Sequence, residues 1–135
     1  MARVNFKMYV NPEYAIYKMI AYYLRAQYPD VLFHFDSSGL HHTKTQAGML
    51  KAIQKGKGFP DLMILAPRGR YHGLFLEIKT ENARVYKKDL LPADDHIAEQ
   101  EEWLASLRYE GYDSYFVKGF DEAKEKIDNY LNQSK

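Results

Sequence analysis

Apolar side chains recur along the chain in alternating helical and extended patterns. Asn11, Pro12 and Glu13 make a helix start: an N-cap, a proline at the first helical position and an acid in the first turn. Ile16, Tyr17, Ile20, Leu24 and Gln27 follow at helical spacing, and Tyr28-Pro29-Asp30 predicts the stop. Val31-Leu32-Phe33-His34-Phe35 reads as a strand broken by Ser37-Ser38-Gly39, and Thr43 to Lys55 as a second helix ending at Gly56. Leu62 to Ala66 and Leu74 to Lys79 are two more strands, joined by the hairpin-like run from Pro67 to Gly73. Residues 80–93 carry no clear period and are expected to be irregular. A long helix from Ala93 to Glu110 ends at Gly111, Asp113 to Val117 is a short strand, and Asp121 caps a last helix reaching Leu131. The order α-β-α-β-β-α-β-α predicts an α/β fold, a central mixed β-sheet flanked by helices.

Composition narrows the class. A chain of 135 residues and 15.8 kDa, 46% hydrophobic and 27% charged, fits one folded domain spanning residues 1–135. The absence of cysteine excludes disulfides, thiolate metal sites and a cysteine nucleophile. No apolar run is long enough to span a bilayer and the start, Met1 to Lys7, does not resemble a signal peptide. The expectation is a cytoplasmic protein with no membrane partner.

The net charge of +1 hides a strong asymmetry. Residues 41–88 hold ten basic side chains against three acidic ones, for +7, whereas residues 89–135 hold five against twelve, for −7. A basic middle in a near-neutral chain is what a binder of phosphate backbone with a local contact face shows, and equally what a solvated charged surface shows. Lys44, Lys51, Lys55 and Lys57 run directly up to Asp61 and are the first candidates for phosphate contact.

The chemistry gathers in Gly58-Phe59-Pro60-Asp61 and Glu77-Ile78-Lys79. In a strand, Glu77 and Lys79 lie on one face about 7 Å apart, with Ile78 on the other. Pairing of the two strands as a hairpin brings Asp61 to Glu77 at one end of the sheet. Two carboxylates with the Ile78 backbone carbonyl suit an octahedral Mg²⁺ that keeps several waters. Such an ion activates water and stabilises charge on a phosphodiester, and Lys79 would orient the water and offset phosphate charge. Glu13 shares the core-facing stripe of the first helix with Ile16, Tyr17, Ile20 and Leu24, which makes it a third acid for the site as well as a favourable first-turn charge.

Gly58-x-Pro60-Asp61 followed by Glu77-x-Lys79, after an acidic first helix, resembles the PD-(D/E)xK nuclease superfamily. The downstream Gln100-Glu101-Glu102-Trp103-Leu104-x-x-Leu107, ending at Gly111-Tyr112, is similar to the VRR-NUC family, the virus-type replication–repair nucleases, over about Asn11 to Val117. The resemblance implies a restriction-endonuclease-like core, Glu13, Asp61 and Glu77 as metal-site acids, Lys79 as catalytic lysine and Gln100 as a supporting active-site residue. It also implies a DNA endonuclease selective for branched substrates such as four-way junctions, of the kind used in phage-type replication, recombination or repair. With oxygen donors only, Mg²⁺ is the expected cofactor and Mn²⁺ its substitute. The alternatives are a flap- or sequence-selective nuclease of the same superfamily, or an inactive DNA-binding module. The stretch between Lys79 and Gln100 is longer than the family pattern, and its Arg84, Lys87 and Lys88 are candidates for DNA contact.

Other features are set lower. His41-His42 suits a single metal site poorly, and Asp94-Asp95-His96 reads as a helix cap. Phe59 is expected to pack in the core. Most of the twelve tyrosines belong to core or interface rather than to base stacking. Tyr14, Tyr22 and Tyr23 lie off the core stripe of the first helix and predict a homodimer contact, as do the stand-alone members of the resembled family.

Overall fold

The computed structural model describes residues 12–37, 40 and 42–135, so the predicted cap Asn11, the Ser38-Gly39 break and His41 lie outside the described residues. The elements are α1 (Pro12–Gln27), β1 (Phe33–Phe35), α2 (Lys44–Ala52), β2 (Leu62–Ile64), β3 (Leu74–Lys79), α3 (Asp95–Tyr109), β4 (Asp113–Lys118) and α4 (Gly119–Leu131). Type and order follow the hydrophobic pattern throughout. The strands form one mixed sheet in the order β1-β2-β3-β4, antiparallel except for the parallel pair β3–β4. That parallel pair needs a crossover, and α3 supplies it.

Every residue of β3 is buried because it is a central strand with helices on both faces. Leu74, Leu76 and Ile78 pack with Leu62, Ile64 and Val117 against Tyr17, Ile20 and Leu24 of α1 and Ala123, Ile127, Tyr130 and Leu131 of α4. On the opposite face a smaller aromatic cluster forms, with the Phe59 ring set edge-on to both Phe75 and Trp103. The Trp103 indole N–H finds its partner in the Lys57 carbonyl at 2.7 Å. The only fully buried tyrosine hydroxyl of α4, that of Tyr130, donates to the Ala66 carbonyl at 2.7 Å.

Boundaries differ from the sequence expectation for identifiable reasons. β1 begins at Phe33 rather than Val31, because the Val31 N–H is spent on the Tyr28 carbonyl in the turn after α1. β2 stops at Ile64, leaving one ladder bond beyond it, from Leu65 N–H to the Leu32 carbonyl. α2 ends at Ala52, where Ile53 N–H closes on the Leu50 carbonyl and tightens the turn three residues short of Gly56. Gln27 is exposed and leaves the core stripe. Asp121 does not cap α4. Gly119, at φ 78°, turns the chain straight out of β4, the N-cap position is Lys118, and Asp121 becomes a first-turn acid.

The Tyr23 hydroxyl is engaged within the chain. It donates to Asp128 at 2.5 Å, Tyr28 donates to the same oxygen at 2.7 Å, and Lys124 binds the other oxygen at 2.9 Å. This half-buried network ties the C-terminal half of α1 to α4. Asp128→Ala leaves both hydroxyls without their acceptor and should lower stability by about 1–2 kcal/mol, read as a fall in the urea midpoint at unchanged m-value.

Candidate active site

The site begins at a glycine. Gly58 has φ 92°, and a Cβ there would lie 3.1 Å from the Gln100 amide nitrogen and the Glu99 carbonyl carbon. Only glycine allows this loop to lie directly on the backbone of α3, which sets the height of Gln100 over the sheet. Two residues on, the β2–β3 register (Leu62 opposite Leu76) extends to place Pro60 opposite Ile78. Proline has no N–H with which to close the ladder on the Ile78 carbonyl. The Ile78 N–H turns instead to a side chain and donates to Asp61 Oδ2 at 2.7 Å. The Asp61 carbonyl accepts from Asp36 N–H at 2.7 Å, so the residue is fixed at both its backbone and its carboxylate.

Glu77 and Lys79 emerge on one face of β3 as the two-residue period requires, with the Lys79 ammonium 3.7 Å from Glu77 Oε1. The same oxygen accepts from Gln100 Nε2 at 2.7 Å. Asp61, Glu77, Lys79 and Gln100 are all less than a tenth exposed. Glu13 stands half-buried in the first turn of α1, where Asp61, Lys79 and His96 act on its charge. The structure therefore brings Glu13, Asp61, Glu77, Lys79 and Gln100 to one end of the sheet, between the first turns of α1 and α3.

Electrostatics separate these groups. Burial, then the neighbouring Asp61 carboxylate, pushes the Glu77 carboxyl up to about 10 against the opposing pull of Lys79. Burial also raises Asp61, with the Tyr17 hydroxyl, the Ile78 N–H and Lys79 acting the other way, and raises Glu13, with the Asp61 charge adding to it. Gln100 Oε1 closes no hydrogen bond within the protein, while the Tyr17 hydroxyl and the Glu77 carboxyl both lean on Asp61. Among the described residues no three His, Cys, Asp or Glu side chains form a ready-made cage for an ion. What converges is smaller, two carboxylates with the Ile78 peptide between them. Clustered carboxylates beside an open oxygen match a hard cation that takes few protein ligands and keeps its water, which is the habit of Mg²⁺.

Two neighbours escaped the sequence reading. His96 Nε2 lies 3.2 Å from Gln100 Nε2, one helical turn away, and the Tyr17 hydroxyl is raised by burial and then by the Asp61 charge. Both were signalled only by spacing, four residues before Gln100 and four after Glu13. The helix-cap reading of this stretch holds for Asp94, whose side chain accepts from Ile97 N–H at 2.8 Å. His42 contacts the Ser37 carbonyl at 2.6 Å and serves its own loop.

The basic candidates are exposed on α2, on the loop after it and on the segment after β3. Lys44 and Lys51 lie on α2 and Lys55 and Lys57 after it, all exposed. A cavity of about 440 Å³ separates Lys55, Gly56 and Lys57 from Glu99, Glu102 and Trp103 of α3. Arg84, Lys87 and Lys88 are exposed on the segment that leaves β3 after Lys79 and returns into the first turn of α3.

The sequence model of the VRR-NUC domain matches residues 25–121. The chain belongs to the VRR-NUC family. A solved structure described as a VRR_NUC domain protein is similar over 93% of this chain and 92% of its own, at 25% identity and a TM-score of 0.64. No curated protein matches the chain. Membership implies a nuclease of the PD-(D/E)xK type and, with it, DNA binding. Asp61, Glu77, Lys79 and Gln100 fall inside the matched VRR-NUC span, and Glu13 and Tyr17 precede it. No helix among the described residues is long and apolar enough to cross a membrane.

A raised Glu77 pKa means that the folded chain holds a proton the unfolded chain has lost, so stability falls as pH rises above the ordinary value of 4.5 towards about 10. Glu77→Gln should remove that slope and raise metal-free stability at pH 8 by about 1–2 kcal/mol. Thermal melts of both proteins in chelator, between about pH 5 and pH 9, check the prediction.

Proposed function

We propose that the chain is a Mg²⁺-dependent endonuclease for branched DNA, acting as a single domain in the cytoplasm (that of a host cell if phage-encoded) in replication, recombination or repair. The observation that carries the reading is the buried Asp61–Glu77–Lys79 cluster, an arrangement that costs stability and has chemistry as its compensation. Asp61, Glu77 and the Ile78 carbonyl would hold the ion, with Glu13 beside them, and Mn²⁺ would substitute. When bound, such an ion lowers the pKa of water and offsets charge on the phosphodiester.

The chain's own residues supply the rest. Gln100 donates to Glu77 Oε1 and the Ile78 N–H donates to Asp61 Oδ2, so each carboxylate is held by one oxygen and presents the other. The Lys79 ammonium, already in the field of Glu77, orients a water for attack and stabilises the charge that builds on the phosphate oxygens. Water oxygen bonds to phosphorus, the bond to the leaving sugar oxygen breaks, and that oxygen takes up a proton. The exposed Lys44, Lys51, Lys55, Lys57, Arg84, Lys87 and Lys88 contact backbone phosphates.

One such site cuts one strand, and a four-way junction needs two cuts related by near two-fold symmetry. A homodimer meets that need. With Tyr23 held by Asp128, the contact falls to Tyr14 and Tyr22, which are 43% and 73% exposed along a groove that also holds Lys18 and Arg25. Light scattering at micromolar concentration should give a dimer, and Tyr22→Ala should shift it towards monomer.

Cleavage assays on single-stranded, duplex, flap and four-way DNA test the activity. Asp61→Asn and Lys79→Ala should each lower the rate by about 10²–10³-fold or more with unchanged circular dichroism. Excess chelator should stop cleavage, Mn²⁺ should restore it, and Ca²⁺ should restore binding without comparable turnover. Wild-type rates in either variant, or full activity in chelator, would remove the metal-site assignment.

A further inference from the structure

The segment between β3 and α3 is irregular only in its backbone period. Tyr86 and Pro92 bridge one another, Ala93 N–H donates to the Val85 carbonyl at 2.8 Å, and Lys87 N–H donates to the Leu91 carbonyl at 2.8 Å. Leu90 N–H closes the turn on the Lys87 carbonyl at 2.9 Å, and Asp89 Oδ1 accepts from Leu91 N–H at 3.1 Å. The result is a short hydrogen-bonded tongue whose tip is Lys87 to Leu91.

Its base is fixed to the site. Val85 is buried, and the Tyr86 hydroxyl donates to Glu101, the residue after Gln100, at 3.0 Å, with its ring edge-on to Phe116 of β4. One end of the tongue follows Lys79 directly and the other runs into the cap of α3. Five residues from Val85 to Leu90 span at most about 17 Å, which bounds how far the tip can stand from its buried base.

The tip itself runs against ordinary surface chemistry. Leu90 has φ 68°, the one non-glycine residue in the left-handed region among the described residues. Leucine is a poor choice there, since glycine or asparagine adopts that turn without penalty. It is also 80% exposed, next to Leu91 at 55%. A strained backbone presenting two apolar side chains to water, preceded by Lys87, Lys88 and the Asp89 that caps the turn, costs stability and solubility together. Exposed apolar side chains on a fixed turn are what proteins insert between stacked base pairs, the apolar group parting the step while nearby cations hold the phosphates.

Resting on the nuclease reading above, we propose that Leu90 and Leu91 form a wedge that opens a base step of bound DNA beside the scissile phosphate. Lys87 and Lys88, which lead into the two leucines, hold the adjacent phosphates, and the wedge favours substrates whose stacking is already interrupted, as at a branch. The tongue thus supplies a specificity element outside the catalytic cluster.

A four-way junction carrying 2-aminopurine in the pair next to the branch, bound by the full-length protein with Ca²⁺ in place of Mg²⁺, reads the unstacking directly. Wild type should raise its fluorescence several-fold. Leu90→Gly should abolish the rise while the affinity stays within about tenfold, because phosphate contacts carry most of the binding. Glycine suits φ 68°, so this variant should melt no lower than wild type, and Leu90→Met should retain the signal. An unchanged rise with Leu90→Gly, or no rise with bound wild type, overturns the wedge while leaving the nuclease reading standing. Loss of the dimer in Leu90→Gly also overturns it, by giving the tip to a second copy. Failure of wild type to bind the junction at all removes the nuclease reading first and the wedge with it.

Discussion

Asp61 and Glu77 are buried side by side, and much of the fold is organised around keeping them there. Two carboxylates in low dielectric repel each other and each loses its hydration, so the pair raises both pKa values and lowers stability wherever both are ionised. The surrounding residues reduce that penalty only partly. The Ile78 peptide takes one oxygen of Asp61, Gln100 takes one oxygen of Glu77, and Lys79 lends a single positive charge. Gln100 Oε1 is left without a partner. A site built only for stability would replace the pair with apolar side chains, as the rest of β3 does on its other face with Leu74, Leu76 and Ile78.

Two backbone features make the burial possible. Pro60 brings no N–H to the end of the β2–β3 ladder, and there the Ile78 N–H leaves the ladder to anchor the Asp61 side chain. Gly58 lets the same loop lie on the Glu99–Gln100 peptide, so the helix that holds Glu77 and the loop that carries Asp61 are positioned by one contact. The Phe59 ring between Phe75 and Trp103 then fixes the loop from the far side. Gly58-Phe59-Pro60-Asp61 is thus a structural sentence in which each residue does a different job, and only the last one touches chemistry.

That division explains what could be read from the sequence. Strand period alone put Glu77 and Lys79 on one face, hairpin topology put Asp61 beside Glu77, and helical period put Glu13 on the inward side of α1; each is a local rule that packing does not override. Gln100 was reachable only through family resemblance, since a glutamine on a helix whose apolar stripe is weak has no period to mark it. His96 and Tyr17 were missed because the bland explanation for each, a cap neighbour and a core aromatic, was locally sufficient. The same limit produced the errors of detail. Whether Tyr23 faces a partner or Asp128 depends on where α4 crosses α1, and whether Asp121 or Lys118 occupies the cap depends on the positive φ of Gly119. The first pairs residues 105 positions apart, and the second turns on a nearby glycine whose positive φ no local pattern announces.

The distribution of strain follows the same economy. In the α1–α4 layer the buried Tyr130 hydroxyl has its acceptor in the Ala66 carbonyl. The departures from ordinary folding chemistry gather instead at one end of the sheet and in the tongue rooted there: paired buried acids, an open polar atom, a left-handed leucine and two exposed leucines. The paired buried acids and the left-handed leucine both lie between Asp61 and Gln100, so that cost is borne by the stretch that carries the candidate site. The stability of the opposite layer is what allows the site to remain unfavourable by itself.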